Sequence, residues 1–338
     1  MTPRQFPLAI HYVRQIAEQI ADCGGDVAQW LALSGLTRAQ IADPAFELSF
    51  ERFRQLVRDG LDTTREPALG LLVGDRLTAS AHGMLGYAAM NSGTLRQAID
   101  LVQRYLPVRT SLVTVRLAAS GRSMRVLFEE VEPLGELRVV VLEAVILTIK
   151  NMIETVCLGT SPVEGIAFPF PAPAHADLAR ALFKADLAYG TSWAGFAIPL
   201  DLIDTPLRMA DPAAFEDARQ ICQRELDKLT RQMSLAARLR RLLLDRQGGY
   251  PTLTVVARLF NMTPRTLHRR LVAEGTSFRE VLDDVRHTLA MEHLKSSHLS
   301  IDEIAYTLGY GELANFRRAF KRWEGLAPSD FRRQARRD

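Results

Sequence analysis

The side chains best suited to chemistry in this chain of 338 residues fall in two short clusters near its C-terminal end. The first holds Arg265, Thr266, His268 and Arg269. The second holds Ala314, Asn315, Arg317 and Arg318, with Lys321 and Arg322 just beyond. What they offer is hydrogen-bond donors in forked geometry. A guanidinium can engage guanine O6 and N7 together, and a carboxamide can do the same with the adenine edge. Basic side chains also neutralise phosphate.

The elements that must position these side chains are legible as two copies of one helical pattern. Leu253, Val256, Ala257 and Phe260 fall at i, i+3, i+4 and i+7, which makes one apolar stripe on a short helix. Ile301, Ile304, Ala305 and Leu308 repeat that spacing 48 residues later. Each stripe ends in a short turn, Asn261-Met262 in one copy and Gly309-Tyr310-Gly311 in the other. A second helix then buries Leu267 and Leu271, or Phe316 and Phe320, at an offset of 49, so the second turn has one added residue. Helix, tight turn and helix, with Ala257 or Ala305 at the crossing, is the helix-turn-helix plan. Thr252, the pair Ser300 and Glu303, and Thr263-Pro264 supply start signals. A pair of helices with a merely solvated basic face is the plainer reading. Arg269 and Arg318 at equivalent outward positions of two copies argue against it.

Between the copies, Ser277 and Glu280 make a further capping box. Phe278, Val281, Leu282, Val285, Leu289 and the turn from Ala290 to Leu294 are expected to form one apolar face. A helix over about 278–294 would be ~25 Å long. Such a rod can hold two reading heads about one DNA turn, ~34 Å, apart on one side of a duplex.

The run from Gly309 to Arg332 resembles the signature of the AraC/XylS family of bacterial transcription regulators. Its strongest elements are the Gly309-Tyr310-Gly311 turn, the spacing Phe316-x-x-x-Phe320-Lys321, and the exit Gly325-x-x-Pro328-x-x-Phe331-Arg332. The resemblance covers about 100 residues from Ser234 to the end. Ala327 departs from it, because the family usually has Ser or Thr there to cap Pro328. The resemblance implies an all-α DNA-binding domain over 231–338, with helix-turn-helix motifs at 252–273 and 300–323 joined by a linker helix. It implies that Arg265, Thr266, His268 and Arg269, then Ala314, Asn315, Arg317 and Arg318, face base edges or phosphates. Lys321 and Arg322 are expected on phosphate or in solvent.

Charge agrees with that division. Residues 231–338 carry 20 Lys and Arg against 12 Asp and Glu, whereas residues 1–230 carry 22 against 27. The basic excess therefore sits on the segment with the paired motifs, as phosphate binding requires. Cys23, Cys157 and Cys222 are far apart and lack metal-ligand spacing, which fits a reducing cytoplasm. The opening residues show no charged stretch followed by an apolar core and a cleavage site, so no targeting segment is expected. The most apolar run, Val139 to Ile149, is interrupted by Glu143 and too short to span a bilayer.

The first 78 residues read as short helices with Gly24-Gly25, Gly35, Asp26, Ser49 and Pro67 as punctuation. Helices over 85–90 and 95–106 follow, then a hairpin of 111–118 and 124–128 around Gly121-Arg122. Leu134 to Leu158 reads as a long helix, Val163 to Phe170 and Trp193 to Ile198 as strands, and Asp177 to Phe183 as a helix. The fold class is thus α+β with a small sheet, followed by an all-α domain. His82-Gly83-Met84-Leu85-Gly86-Tyr87, then Thr94-Leu95-Arg96-Gln97-Ala98, Phe196-x-Ile198-Pro199 and Leu207 resemble the N-terminal domain of one AraC/XylS subgroup, the arabinose-binding-domain-like group. That likeness covers about 10–210. It implies an effector-sensing or dimerisation domain over 1–230, often with a small-molecule ligand, and leaves the effector residues unassigned. From Asp211-Pro212, a helix reaches about Met233. Its stripe of Phe215, Ala218, Cys222, Leu226 and Leu229 suits a dimer seam or a face packed on this domain.

Enzyme constellations are missing. There is no phosphate loop, dinucleotide fingerprint, zinc-protease helix or nucleophile elbow. His287, His293 and His298 are spaced by six and five residues, which puts them on different helix faces. His82 is expected to be a satisfied structural histidine. Glu143 is expected to be buried, paired with Lys150 or Arg138. No metal, no cofactor and no membrane is expected. The expected partner is double-stranded DNA, and the resemblance leaves room for a small-molecule effector, RNA polymerase and a second copy of the chain. Two rival readings are a regulator whose N-terminal half only dimerises or docks a partner, and a DNA-binding enzyme fusion relying on a reactive cysteine.

Overall fold

The apolar segment 138–156 folds as the helix around which the N-terminal unit is built. The computed structural model describes residues 8–43, 46, 48–131, 133–232, 234–244, 250–296 and 299–335. They fall into two units, Met1–Leu229 and Thr230–Asp338.

The first unit begins with α1 (Ile10–Asp22), α2 (Val27–Leu33), α3 (Arg38–Ala42), α4 (Phe50–Thr64), α5 (Leu69–Arg76), α6 (Met84–Met90) and α7 (Leu95–Tyr105). Asp26, Ser49 and Thr94 cap α2, α4 and α7 through their side chains. The short α3 has no long apolar stripe to announce it, yet Thr37 and Gln40 close a full capping box there. Next come β1 (Val113–Ser120), β2 (Ser123–Glu130), α8 (Arg138–Val156), β3 (Gly165–Phe168), α9 (Ala176–Phe183), β4 (Asp186–Tyr189), β5 (Gly195–Pro199), α10 (Leu200–Ile203) and α11 (Pro212–Gln232).

The sheet runs β1-β2-β5-β3-β4. Gly121, with φ +61, turns β1 into β2 so that Ser120 faces Ser123. β5 lies antiparallel to both β2 and β3, while β3 and β4 are parallel and joined through α9. Four-residue β4 is the element that pattern reading passes over, because it has too few residues to show alternation. β3 is also shorter than the apolar run 163–170 suggests.

α8 buries residues on nearly all sides, including Val141, Ile146, Leu147 and Ile153, as expected of a core helix rather than an amphipathic one. α5 lies against it at contact distance. A Cβ on Gly70 would come within 2.3 Å of the Val140 carbonyl oxygen, and one on Gly74 within 2.6 Å of that of Ala144. Glycine at these positions lets the two backbones touch. α11 packs on its own unit, with Ala218, Cys222 and Leu226 buried in the N-terminal core. The Gln223 carboxamide oxygen accepts bonds from Tyr105 at 3.0 Å and Arg104 at 2.9 Å. The stripe is therefore not a free dimer seam.

The second unit contains α12 (Leu235–Leu244), α13 (Leu253–Leu259), α14 (Pro264–Ala273), α15 (Phe278–Ser296), α16 (Ile301–Thr307), α17 (Leu313–Glu324) and α18 (Pro328–Ala335). It has two cores. Leu235, Leu239, Leu243, Val256, Leu267 and Leu271 form one, and Ile304, Leu308, Phe316 and Phe320 anchor the other. Helix α15 serves both, giving Val281 and Val285 to the first and Ala290 and Leu294 to the second. At about 100° per residue these two pairs lie roughly half a turn apart. The linker thus has two apolar faces, which corrects the single face read from the sequence. Nineteen residues make it about 28 Å long. No described helix is long and apolar enough to cross a membrane.

Candidate nucleic-acid interface

The first reading head is α13 and α14. Thr252 caps α13, its hydroxyl accepting from Val255 N at 3.4 Å, and the helix buries Val256 and Ala257 completely. Asn261 then adopts φ +53, and Met262 N donates to the Ala257 carbonyl at 2.8 Å. Thr263 caps α14 through Thr266 N at 3.1 Å, with Pro264 at the first helical position. Leu267 and Leu271 point inward and are fully buried. That phase leaves Arg265, His268 and Arg269 exposed on the opposite face. Thr266 is half-buried, and its hydroxyl lies 2.9 Å from that of Thr263.

The second head repeats the plan with different materials. Ser300 and Glu303 form a complete capping box on α16, which buries Ile304 and Ala305. Gly309 takes the left-handed position at φ +72, and Tyr310 N donates to the Ala305 carbonyl at 2.9 Å. The residue that extends this turn is therefore Gly311, after the left-handed position. Glu312 precedes α17 without making a side-chain cap. Phe316 and Phe320 are buried, and Ala314, Asn315, Arg317 and Arg318 are exposed. The Arg318 guanidinium donates to the Asn315 carboxamide oxygen at 2.7 Å. Arg322 is exposed, as expected, and also pairs with Asp283 of α15 at 3.2 Å.

Helix α15 also carries the polar fastenings. Arg286 donates to the carbonyls of Leu308 at 3.0 Å and Gly309 at 3.2 Å. Its guanidinium lies 4.6 Å from the Tyr310 ring centroid and 5.3 Å from that of Tyr250, a half-buried cation–π arrangement. Asp284 pairs with Arg240 of α12, and His287 Nε2 lies 2.6 Å from the Glu324 carboxylate. The Glu274 carboxylate, at the end of α14, accepts from Leu235 N and Ala236 N at 2.8 Å each and so caps α12. Nothing in the local sequence pattern signals Arg286 or Glu274, because both act across long separations. His298 of the expected histidine trio lies outside the described residues, as do 245–249 of the loop before Tyr250.

In the first unit, the residues singled out for chemistry are held in structural contacts. His82 is buried, with Nδ1 2.8 Å from the Tyr12 hydroxyl, and burial followed by the Arg109 charge pushes its pKa down to about 4. Burial raises the thiol pKa of Cys157, and burial followed by the Glu225 charge raises that of Cys222 to about 11. This is the reverse of an activated thiol. Glu143 is fully buried but pairs with neither expected partner. Arg138 binds Glu130 at 2.6 Å and Lys150 binds Glu154 at 2.5 Å. The partner of Glu143 is His175, whose Nε2 lies 3.0 Å from both carboxylate oxygens. His175 sits in Pro-Ala-Pro-Ala-His with no spacing signal.

Comparison with known proteins bears on the whole arrangement. Residues 24–207 match the family model of the arabinose-binding domain of AraC transcription regulator, N-term, and residues 256–334 match a helix-turn-helix domain. The chain belongs to the AraC family of transcription regulators. As a member of that family it is a DNA-binding transcription regulator with an arabinose-binding-like N-terminal domain. It is 34% identical over 326 residues to the ornithine utilization regulator of Pseudomonas aeruginosa, covering 96% of this chain and 95% of that one. It is 28% identical over 337 residues to an uncharacterized HTH-type transcriptional regulator of Mycobacterium tuberculosis, covering 98% of each. The crystal structure of the transcriptional regulator CdpR from Pseudomonas aeruginosa is similar at 25% identity and a TM-score of 0.44, covering 94% of this chain and 97% of that one.

Proposed function

We propose that this regulator reads its operator with both heads at once, α14 and α17 entering successive major-groove segments on one side of the duplex. The observation that carries this reading is α15, a single helix that supplies side chains to both cores. Arg265, His268 and Arg269 contact base edges and phosphates from the first head, and Asn315, Arg317 and Arg318 do so from the second. Thr266, tied to Thr263, holds the helix start at the backbone rather than reading a base. Ala314 lets α17 approach closely. Because Arg318 already holds the Asn315 oxygen, a bidentate adenine contact by Asn315 would have to open that bond. We therefore assign Arg318 to a guanine, with Asn315 orienting it. Footprinting on a bound operator checks the geometry. Two protected stretches about one helical turn apart on one face are expected, and a lone stretch, or protection on opposite faces, overturns it.

The N-terminal unit we assign to effector sensing in the cytoplasm, with RNA polymerase and a second copy of the chain as further partners of the regulator. Since α11 spends its stripe on its own core, dimerisation would use another surface. The relative's name ties that protein to ornithine utilization, so ornithine and other amino acids are the first effectors to test. Stabilisation of the full chain by one compound class, with altered operator affinity, is the expected result.

A further inference from the structure

Helix α15 gives its aliphatic residues to the two cores on opposite faces, and in its first half the polar residues divide the same way. Asp284 turns to the first head, where it pairs with Arg240 of α12. Asp283, Arg286 and His287 turn to the second. They stand at i, i+3 and i+4, the spacing that puts residues on one helix face. At about 100° per residue, that face is the one that carries Ala290 and Leu294 one to two turns further on. Asp283 pairs with Arg322 at 3.2 Å, Arg286 donates to the Leu308 and Gly309 carbonyls, and His287 Nε2 lies 2.6 Å from Glu324.

Arg286 meets the first head as well. Its guanidinium is within cation–π reach of Tyr250, which packs on the first core, and of Tyr310, which packs on the second. The two heads also touch directly at this point. A Cβ added to Gly309 would stand 3.2 Å from the Tyr250 ring and 3.4 Å from Arg286 Nη2. The turn of the second head therefore packs against an aromatic ring of the first, with Arg286 beside both. The apolar contact made by Ala290 and Leu294 is non-directional. A planar guanidinium that donates to two carbonyls of one turn accepts only a narrow range of orientations.

We propose that Arg286 is a positioning residue for operator reading. Held between Tyr250 and the Gly309 turn, it fixes the angle between the two heads. It thereby fixes the number of base pairs the regulator accepts between the segments that α14 and α17 enter. The proposal rests on the two-headed reading above. One base pair turns a duplex by roughly 35°, at about 10–10.5 base pairs per turn. Inserting or removing one base pair moves the second segment around the duplex by that angle, and only heads free to rotate can follow it.

The test uses the full chain and an operator that it selects from a random-sequence pool. That operator is remade with one base pair inserted or removed between the two contacted segments, and with either segment scrambled. Arg286→Lys keeps the charge on α15 but loses the fork that spans two carbonyls. Tyr250→Leu leaves both carbonyl bonds in place and removes the ring, and so tests the junction even where Arg286→Lys fails to fold. Wild type should bind the unaltered spacing at least about tenfold more tightly than either altered one, and in both variants that ratio should fall to about threefold or less. Binding to operators with one scrambled segment should stay as in wild type. Equal weakening at every spacing overturns the proposal, since loss of stability alone would produce it. Variants that discriminate spacing as sharply as wild type overturn it too. Wild type indifferent to spacing, or to the scrambling of one segment, is a separate result and overturns the two-headed reading itself.

Discussion

The two reading heads share one plan and differ in what holds it. In the first, the core is aliphatic, the left-handed turn residue is Asn261, and Thr263 caps the outer helix. In the second, two phenylalanines join the buried aliphatic residues. Phe320 sits edge-on to Phe331 at 5.5 Å and close to Phe316 at 5.9 Å, the turn residue is Gly309, and α17 lacks a side-chain cap. Arg286 reaches from α15 to the second turn and satisfies the Leu308 and Gly309 carbonyls there. The lesson is that a local pattern can be stabilised by near neighbours in one copy and by distant ones in the other.

The largest test of this contrast is Phe320→Ala. It should cost about 3–5 kcal/mol and remove amide-exchange protection from α16 to α18 while α13 and α14 stay protected. Equal loss in both heads would show that the cores are not separate. Next, Arg318→Ala should cost about 1–3 kcal/mol of operator affinity and relax preference at one base position, whereas Lys321→Ala should weaken binding evenly across sequences. Selection of operators from a random pool distinguishes them. Third, the turns should not be interchangeable. Gly309→Ala should cost about 1–2 kcal/mol for the left-handed backbone alone, and its Cβ would also stand 3.2 Å from the Tyr250 ring. Asn261→Gly should be close to neutral in a denaturation curve. Smallest is the cap comparison. Ser300→Ala should cost ~1 kcal/mol, and Thr252→Ala, with its longer bond, less. The Glu303 carboxyl is held below its usual range, first by the Ser300 backbone N–H. Its folded pKa is depressed, so its contribution is present above the unfolded carboxylate range and is lost as pH falls through the folded value. Acid titration of a Glu303→Gln variant should therefore show a weaker acid dependence than wild type.

Much of this was readable along the chain. The stripes of α13 and α16, the caps at Thr252, Thr263 and Ser300, and the outward clusters follow from helical period and capping chemistry, which act over one or two turns. The same holds for the hairpin at Gly121 and the long helix α8. Other features escaped because they join residues far apart. Helix α15 divides its apolar residues between two faces, Arg322 is turned to Asp283, and Glu143 is paired with His175 from the turn before α9. Period alone could not choose whether α11 faced a second chain or its own core. Nor could it reveal β4, whose identity as a strand depends on the backbone of β3 beside it.

What the sequence by itself determined is the inventory of two capped helix-turn-helix copies, a basic C-terminal third and a buried central helix in the first unit. These are set by side-chain period, local hydrogen bonding and charge. What only tertiary structure decided is which side chains remain available for contact. Asn315 is engaged by Arg318, Arg286 is enclosed by two tyrosines, and His175 is left with one nitrogen facing no partner among the described residues. The physical reason is that availability depends on every group brought near by folding, and that set is not written in any local stretch of chain.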